Sequence, residues 1–282
     1  MYRILKALFM EIFPHPEYEE LKAEYHSKKA LMLDLIIDRD QLKYVAIPNL
    51  NAVYMQQFGA ILIERLEKEH TYLRLRRKIE LIQARMNAGQ KVNLTLIEET
   101  LESEFYKWEE EIEQLIKEKE SADSWFDSCL PPPEAGELKL KYREIVKKLH
   151  PDLNPNLSSF ETDLWHKTQE AYQHGNIEEI RRIFLILDDM ACITGIPKTD
   201  IPKEIAAKID QLDVQIAKIN EEIRILKTKF PLNFRRVLDD SNMTNTEKSK
   251  IKENIDDYVK KIQFLEAQLL NLKLIIDYEQ FN

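Results

Sequence analysis

The sequence predicts an all-α protein, and three observations support this class. Glycine is rare, at 5 of 282 residues, whereas about 7% is usual and β-rich or phosphate-cradling folds need glycines in their turns. Charged residues make up 32% and hydrophobic residues 44% of the chain, a balance typical of long amphipathic helices. Apolar residues also recur at helical spacing. We expect a helical hairpin region over 1–122, a central helical domain over 123–196 and an antiparallel coiled-coil hairpin over 197–282.

The N-terminal part reads as long helices joined by short links. The pattern predicts a helix over 17–44, which we expect Pro48 to end. A second helix over 51–86 should stop at Gly89, where glycine can take the left-handed conformation beyond a helix end. A third helix over 95–121 follows after a short link, and a short link favours antiparallel neighbours.

The C-terminal part carries two heptad seams with identical spacing. Their positions are Ile205, Ile209, Leu212, Ile216, Ile219, Ile223, Leu226 and Phe230, then Ile251, Ile255, Tyr258, Ile262, Leu265, Leu269, Leu272 and Ile276. Equal lengths and a polar connection predict a hairpin within one chain, with Ile205 near Ile276. The same seams could instead join two chains, but closure within a chain avoids the translational entropy lost on association, so we favour a monomer.

The central part carries the most distinctive chemistry. A predicted helix over 137–149 has one apolar face and one basic face. The basic face is a stripe of Lys139, Arg143 and Lys147 with Lys148 beside it, and Tyr142 lies on the apolar face. The helix should stop at His150-Pro151-Asp152, because proline cannot continue it. We expect the imidazole and the carboxylate of this loop to be exposed, a mixed-charge surface that suits a partner of complementary sign.

This segment resembles a J-domain, the module by which Hsp40 (DnaJ-type) co-chaperones engage Hsp70. The matching positions are Tyr142, Arg143, Ile145, Val146, Lys148, His150, Pro151 and Asp152, followed by the loop tail 153–156 and by Glu170-Ala171-Tyr172. The likeness spans 124–176. It departs from the family at two places. At the first helix, residues 124–127 are only weakly similar to the family pattern, and the preceding long helix could replace that helix. At Glu144, many members carry a basic residue. No Gly/Phe-rich linker or zinc-binding cysteine repeat follows, so the resemblance implies a class C (type III) member.

The resemblance implies a co-chaperone that stimulates ATP hydrolysis by an Hsp70 (DnaK-type) partner. It says nothing about the flanking helical arms, which we expect to bind a client or a larger assembly. The implied contact residues are His150, Pro151, Asp152, Tyr142, Arg143, Lys139, Lys147 and Lys148. The alternative is a coiled-coil scaffold or adaptor in which the J-like segment is vestigial. No catalytic, cofactor or metal-binding motif is present, so we expect no enzyme.

The composition also bears on nucleic-acid binding, on membrane insertion and on the cellular compartment. With 41 basic and 50 acidic residues the net charge is −9, which disfavours general nucleic-acid binding, because phosphate neutralisation needs an excess of Lys and Arg. No apolar run reaches the ~18 residues that a membrane span needs. Two widely spaced cysteines, Cys129 and Cys192, favour a reducing cytoplasm over a disulfide framework.

Overall fold

A computed structural model describes residues 16–125, 132–191 and 202–281. All regular structure in these three ranges is helical, which confirms the all-α class. The α-helices are α1 (Pro16–Gln41), α2 (Ile47–Asn87), α3 (Leu94–Trp125), α4 (Pro132–Leu149), α5 (Ser159–Gln173), α6 (Ile177–Ala191), α7 (Pro202–Thr228), α8 (Arg235–Asp239) and α9 (Ser241–Phe281). A π-helical turn, Leu42–Ala46, joins α1 to α2, and a 3₁₀ turn, Leu232–Phe234, precedes α8. Cys129, Cys192 and part of the weakly similar first-helix segment lie outside the described residues.

The chain forms two compact units, each built from two separate stretches of sequence. Unit 1 comprises Met1–Pro48 and Cys129–Asn233, and unit 2 comprises Asn49–Ser128 and Phe234–Asn282. This differs from the three consecutive domains that the sequence predicted. The predicted N-terminal region is divided between the units, as is the predicted C-terminal region.

Pro48 does not end the first helix, contrary to expectation. The backbone passes from α1 through the π-turn into α2, and the N–H of Ile47 donates to the carbonyl of Leu42, five residues earlier. Proline lacks an N–H group and its ring clashes with the carbonyl four residues before it. A wider π-turn next to the proline accommodates both the missing N–H group and the bulk of the ring, so the helical path continues through Pro48.

Unit 1 is a core of α4, α5 and α6 to which α1 and α7 add apolar residues. Its buried residues include Met32, Ile36, Tyr142, Ile145, Val146, Leu149, Leu164, Trp165, Tyr172, Ile180, Ile183, Leu212, Ile219 and Ile223. A capping box of Ser158 and Glu161 begins α5. Gly175, with φ of 63°, ends it in the left-handed conformation that glycine adopts without strain. The helix that completes this core from the N-terminal side is therefore α1. The helix α3, which the sequence offered as a possible replacement for the first helix, belongs to unit 2.

The helices α1 and α7 run parallel along most of their lengths. Lys28 Nζ lies 2.5 Å from Asp213 Oδ1, and further along both helices Arg39 Nη1 lies 3.6 Å from Glu222 Oε2. Both pairs advance in the same direction along the chain, which fixes the parallel orientation. Three residues of the α7 seam are buried in the core of unit 1 along the same stretch of the helix: Leu212, Ile219 and Ile223.

Unit 2 contains the predicted N-terminal hairpin, and α9 packs onto it. Gln56 Nε2 donates to the Ala122 carbonyl at 3.3 Å near one end, and Arg74 pairs with Glu98 at 2.8 Å nearer the turn, as an antiparallel hairpin requires. Gly89, with φ of 62°, ends α2 as predicted. Residues of α9 complete the unit, since Leu269 and Ile276 are buried with Ile79, Ile82 and Leu101.

The predicted C-terminal hairpin is wrong. The seam of α7 is buried against α1 in unit 1, whereas the seam of α9 is buried against α2 and α3 in unit 2. A heptad seam establishes that a helix packs along its length against another helix, but it does not identify the partner. The helix α1 has 26 residues and α7 has 27, and the ion pairs Lys28–Asp213 and Arg39–Glu222 align the two helices along most of their lengths.

The parallel pairing of α1 with α7 can be tested by crosslinking. In a chain with Cys129→Ser and Cys192→Ser, Lys28→Cys and Asp213→Cys should form an intrachain crosslink with a short bismaleimide, detected by mass spectrometry. The matched pair Lys28→Cys with Glu222→Cys should not react, because Glu222 lies about 13 Å further along α7. Preferential crosslinking of the second pair would contradict the register.

Candidate partner-binding site

The His150-Pro151-Asp152 loop is fastened to the end of α4 by backbone hydrogen bonds. The N–H of His150 donates to the Val146 carbonyl at 2.9 Å, as the last turn of the helix. The N–H groups of Leu153 and Asn154 then both donate to the His150 carbonyl, at 3.0 and 2.9 Å. The Asn154 side-chain amide donates to the Lys147 carbonyl at 3.0 Å. The loop thus satisfies carbonyls that a helix end leaves open, and this holds it in one conformation.

His150 is buried, which corrects the expectation of an exposed imidazole. The residue is 5% exposed, and its ring lies edge-on to Trp165 of α5 at 4.9 Å between centroids. Its Nδ1 accepts a hydrogen bond from the backbone N–H of Asp152 at 3.1 Å. A neutral imidazole with an accepting Nδ1 carries its proton on Nε2. The ring therefore shapes the loop from inside and does not present itself to a partner.

The other two residues of the loop are exposed, and for the Asp152 carboxylate this confirms the prediction. Pro151 fixes the backbone at the turn, and the Asp152 side chain is 44% exposed. The Asp152 carboxylate lies 4.0 Å from His150 Nδ1, while its own backbone N–H bonds that nitrogen. The loop therefore presents one carboxylate at a defined position beside the end of a basic helix.

Tyr142 is fully buried, so the expectation that it contacts a partner is wrong. Its ring stacks on Tyr172 with 3.7 Å between centroids, and its hydroxyl donates to Asp40 Oδ2 at 2.8 Å. Burial first, and then the Asp40 carboxylate, raise the pKa of Tyr142 far above its usual value. The hydroxyl therefore stays protonated and serves as an internal hydrogen-bond donor.

The basic stripe of α4 is divided between an internal and an outward role. Arg143 Nη2 lies 2.5 Å from Asp34 Oδ1, and Lys139 Nζ donates to Gln41 Oε1 at 2.6 Å. Both partners belong to α1, so half of the stripe is occupied within the chain. Lys147 is exposed with Asp152, whereas Lys148 is half-buried beside the loop and its Nζ lies 6.0 Å from the centroid of the Phe184 ring of α6.

The hydrogen-bond acceptors on α1, which are Asp34, Asp40 and Gln41, were not predicted from the sequence, although the position of Asp40 indicated one of them. Asp40 follows Ile36 by four residues and Ile37 by three, which places it on the buried face of α1. A carboxylate at such a position needs hydrogen-bonding partners, because its burial alone is costly. Which donors would supply them is a matter of tertiary structure, and the sequence contains no local sign of Tyr142.

Comparisons with known proteins give no match: no family model, no curated protein and no solved structure is similar to the chain. Within the three described ranges, no helix is long and apolar enough to cross a membrane. The same ranges contain no group of three or more His, Cys, Asp or Glu side chains that could hold a metal ion.

The burial of His150 predicts a pH dependence of stability. Burial lowers the pKa of His150 below its ordinary 6.5, although the Asp152 carboxylate acts to raise it. The unfolded chain therefore binds more protons as the pH falls below about 6.5, so stability is full above that pH and is lost towards the folded pKa.

We expect the free energy of unfolding of unit 1, from urea titrations, to fall between about pH 7 and pH 5, by up to ~1.4 kcal/mol per pH unit from this one group. His150→Gln should flatten this slope, while His166→Gln, at an exposed position of α5, should leave it unchanged. An unaltered slope in His150→Gln would contradict the assigned neutral, buried state.

Proposed function

We propose that the chain is a J-domain co-chaperone of class C type, which binds an Hsp70 (DnaK-type) partner and stimulates its ATPase. The observation that carries this proposal is the loop itself. The exposed Asp152 carboxylate is held at the end of the basic helix α4 by a buried histidine and by hydrogen bonds to the helix terminus. A fixed charge of this kind loses little entropy on binding, which favours a specific contact.

The role of the loop would be to shift a conformational equilibrium of the partner, with ATP hydrolysis carried out by the partner's own residues. Such a shift requires contacts that differ between two states of the partner. Asp152 would supply the anionic contact, and Lys147 and Lys148 would steer the surface onto an acidic face. Arg143 and Lys139 would contribute indirectly, since their bonds to Asp34 and Gln41 hold α1 against α4.

Two further elements complete the proposal. The helices of unit 2 would hold a client or a larger assembly, in place of the client-binding domain of other co-chaperones. The widely spaced Cys129 and Cys192 favour action in the reducing cytoplasm, without a disulfide framework.

The second candidate is a helical scaffold or adaptor with a vestigial J-like segment. The observation that favours it is the internal use of Tyr142, Arg143 and Lys139, three of the eight residues that the family resemblance assigns to the partner. Under this alternative the loop has only a structural role, and an Hsp70 would hydrolyse ATP at the same rate with and without the chain.

Asp152→Asn tests the proposal directly. We expect the variant to lose stimulation of DnaK in single-turnover ATP hydrolysis by at least about tenfold, because losing a charged contact in a partner interface costs roughly 2–5 kcal/mol. Its circular dichroism and melting temperature should match those of the unmodified chain, since the carboxylate is exposed. His150→Gln is less informative, because that ring is buried in the fold.

The matched control is Asp163→Asn, which removes an exposed carboxylate from α5. It should stimulate DnaK as the unmodified chain does. The proposal fails if the unmodified chain gives no stimulation, or if Asp152→Asn stimulates equally well.

A further inference from the structure

A cleft of about 770 Å³ lies beside the loop within unit 1. Its walls come from the loop residues 151–157, from α1 and from α7. Each of three helices contributes one lysine to the lining: Lys29 from α1, Lys148 from α4 and Lys208 from α7. Residues this far apart in sequence form a cationic cleft only because α1 and α7 pack beside the end of α4.

Lys29 of the cleft lies near two other lysines, Lys208 of the same lining and Lys147 of α4, which lies outside the lining. Lys29 is half-buried, and burial, followed by the positive charges of Lys147 and Lys208, lowers the pKa of its ammonium group. In the part of the chain that the structure describes, neither Lys29 nor Lys148 forms an ion pair with a carboxylate. Like charges that share a partly desolvated site are unfavourable, and an anionic ligand would relieve that repulsion.

The remaining lining suits a peptide better than a nucleic acid. Two carboxylates, Asp152 and Glu161, also line the cleft and would repel any anionic group placed next to them. A phosphate backbone carries a charge at every nucleotide, whereas a peptide can alternate carboxylate side chains with uncharged ones and keep its charges near the lysines. Glu161 is already used by the α5 cap, where it accepts hydrogen bonds from the backbone N–H and the hydroxyl of Ser158. Gln211 and Gln215 of α7 can bond peptide N–H and C=O groups, and Tyr25 offers an apolar surface.

We propose that this cleft binds an acidic peptide segment of a partner protein, one that combines carboxylate side chains with aliphatic ones. The carboxylates would pair with Lys29 and Lys148, and the aliphatic side chains would lie against Tyr25 and Leu157. The cleft shares Asp152 and Lys148 with the contact of the proposed function, but Lys29, Lys208 and the glutamines of α7 belong to the cleft alone. Peptide binding can therefore be measured without an Hsp70.

The experiment measures fluorescence anisotropy of a fluorescein-labelled octapeptide of alternating glutamate and leucine, titrated with the full chain. We expect saturable binding that weakens at least about tenfold when glutamine replaces every glutamate of the peptide, because the attraction is between opposite charges. Binding to the unmodified chain should also weaken when salt is raised from about 0.05 to 0.5 M.

The double variant Lys29→Gln/Lys148→Gln should bind the peptide about tenfold more weakly, with unchanged circular dichroism. Gln211→Glu, which adds a negative charge to an exposed lining position, should weaken binding as well. The matched control is Lys167→Gln, an exposed lysine of α5 outside the cleft, and it should bind as the unmodified chain does.

The inference is overturned if the glutamate peptide does not bind, if both cleft variants bind it as the unmodified chain does, or if single-stranded oligothymidylate binds to the cleft more tightly than the peptide. Peptide binding without DnaK stimulation would support the cleft while contradicting the proposed function. DnaK stimulation that requires Asp152, in a chain that does not bind the peptide, would support the proposed function while contradicting the cleft.

Discussion

The arrangement of unit 1 depends on one buried carboxylate, that of Asp40. The residue is 1% exposed and lies at the end of α1. Its Oδ1 accepts from Arg39 Nε at 2.9 Å, and its Oδ2 accepts from the Tyr142 hydroxyl at 2.8 Å. Arg39 also reaches Glu222 of α7 at 3.6 Å. A buried charge without partners would be strongly destabilising, so this network selects one position of α1 relative to α4 and α7.

The composition of the exposed surface beside the loop follows from that position. Because α1 lies along α4, Asp34 and Gln41 engage Arg143 and Lys139. Lys147 and Asp152 are left exposed beside the half-buried Lys148. The same placement brings Lys29 close to the loop and forms one wall of the cationic cleft. The surface that a partner would meet is therefore a composite of three helices, and the family resemblance, which is confined to 124–176, describes only part of it.

The sequence predicted the helices well, because their periodicity is local. The apolar faces of α4 and α9, the stop at Gly89 and the antiparallel α2–α3 hairpin all follow from spacing and short links. Pairing over long distances was not predictable in the same way. The seams of α7 and α9 have the same spacing, yet each is buried by different helices, because the spacing of apolar residues does not specify which helix packs against them. Pro48 was misjudged because a π-turn can absorb a proline that would otherwise end a helix.

In the candidate site, too, the local features were predictable from the sequence and the long-range contacts were not. The exposure of Asp152 could be predicted from a proline-terminated helix, but the inward turn of His150 depends on Trp165, fifteen residues later in the chain, and on the N–H of Asp152. The burial of Tyr142 was expected from its place on the apolar face. Its hydrogen bond to Asp40 joins residues 102 positions apart, which no local pattern reveals.

The central claim, that the Asp40–Tyr142 hydrogen bond holds α1 against α4, is tested most directly by a double-mutant cycle of Asp40→Ala and Tyr142→Phe. Urea unfolding of unit 1 gives the free energy of each variant. We expect Tyr142→Phe alone to lower the free energy of unfolding by about 1–3 kcal/mol. In the Asp40→Ala background the same substitution should lower it only slightly further, so the coupling energy between the two residues should exceed ~1 kcal/mol. Strict additivity of the two substitutions would contradict it, because it would mean that the hydroxyl and the carboxylate stabilise the fold independently.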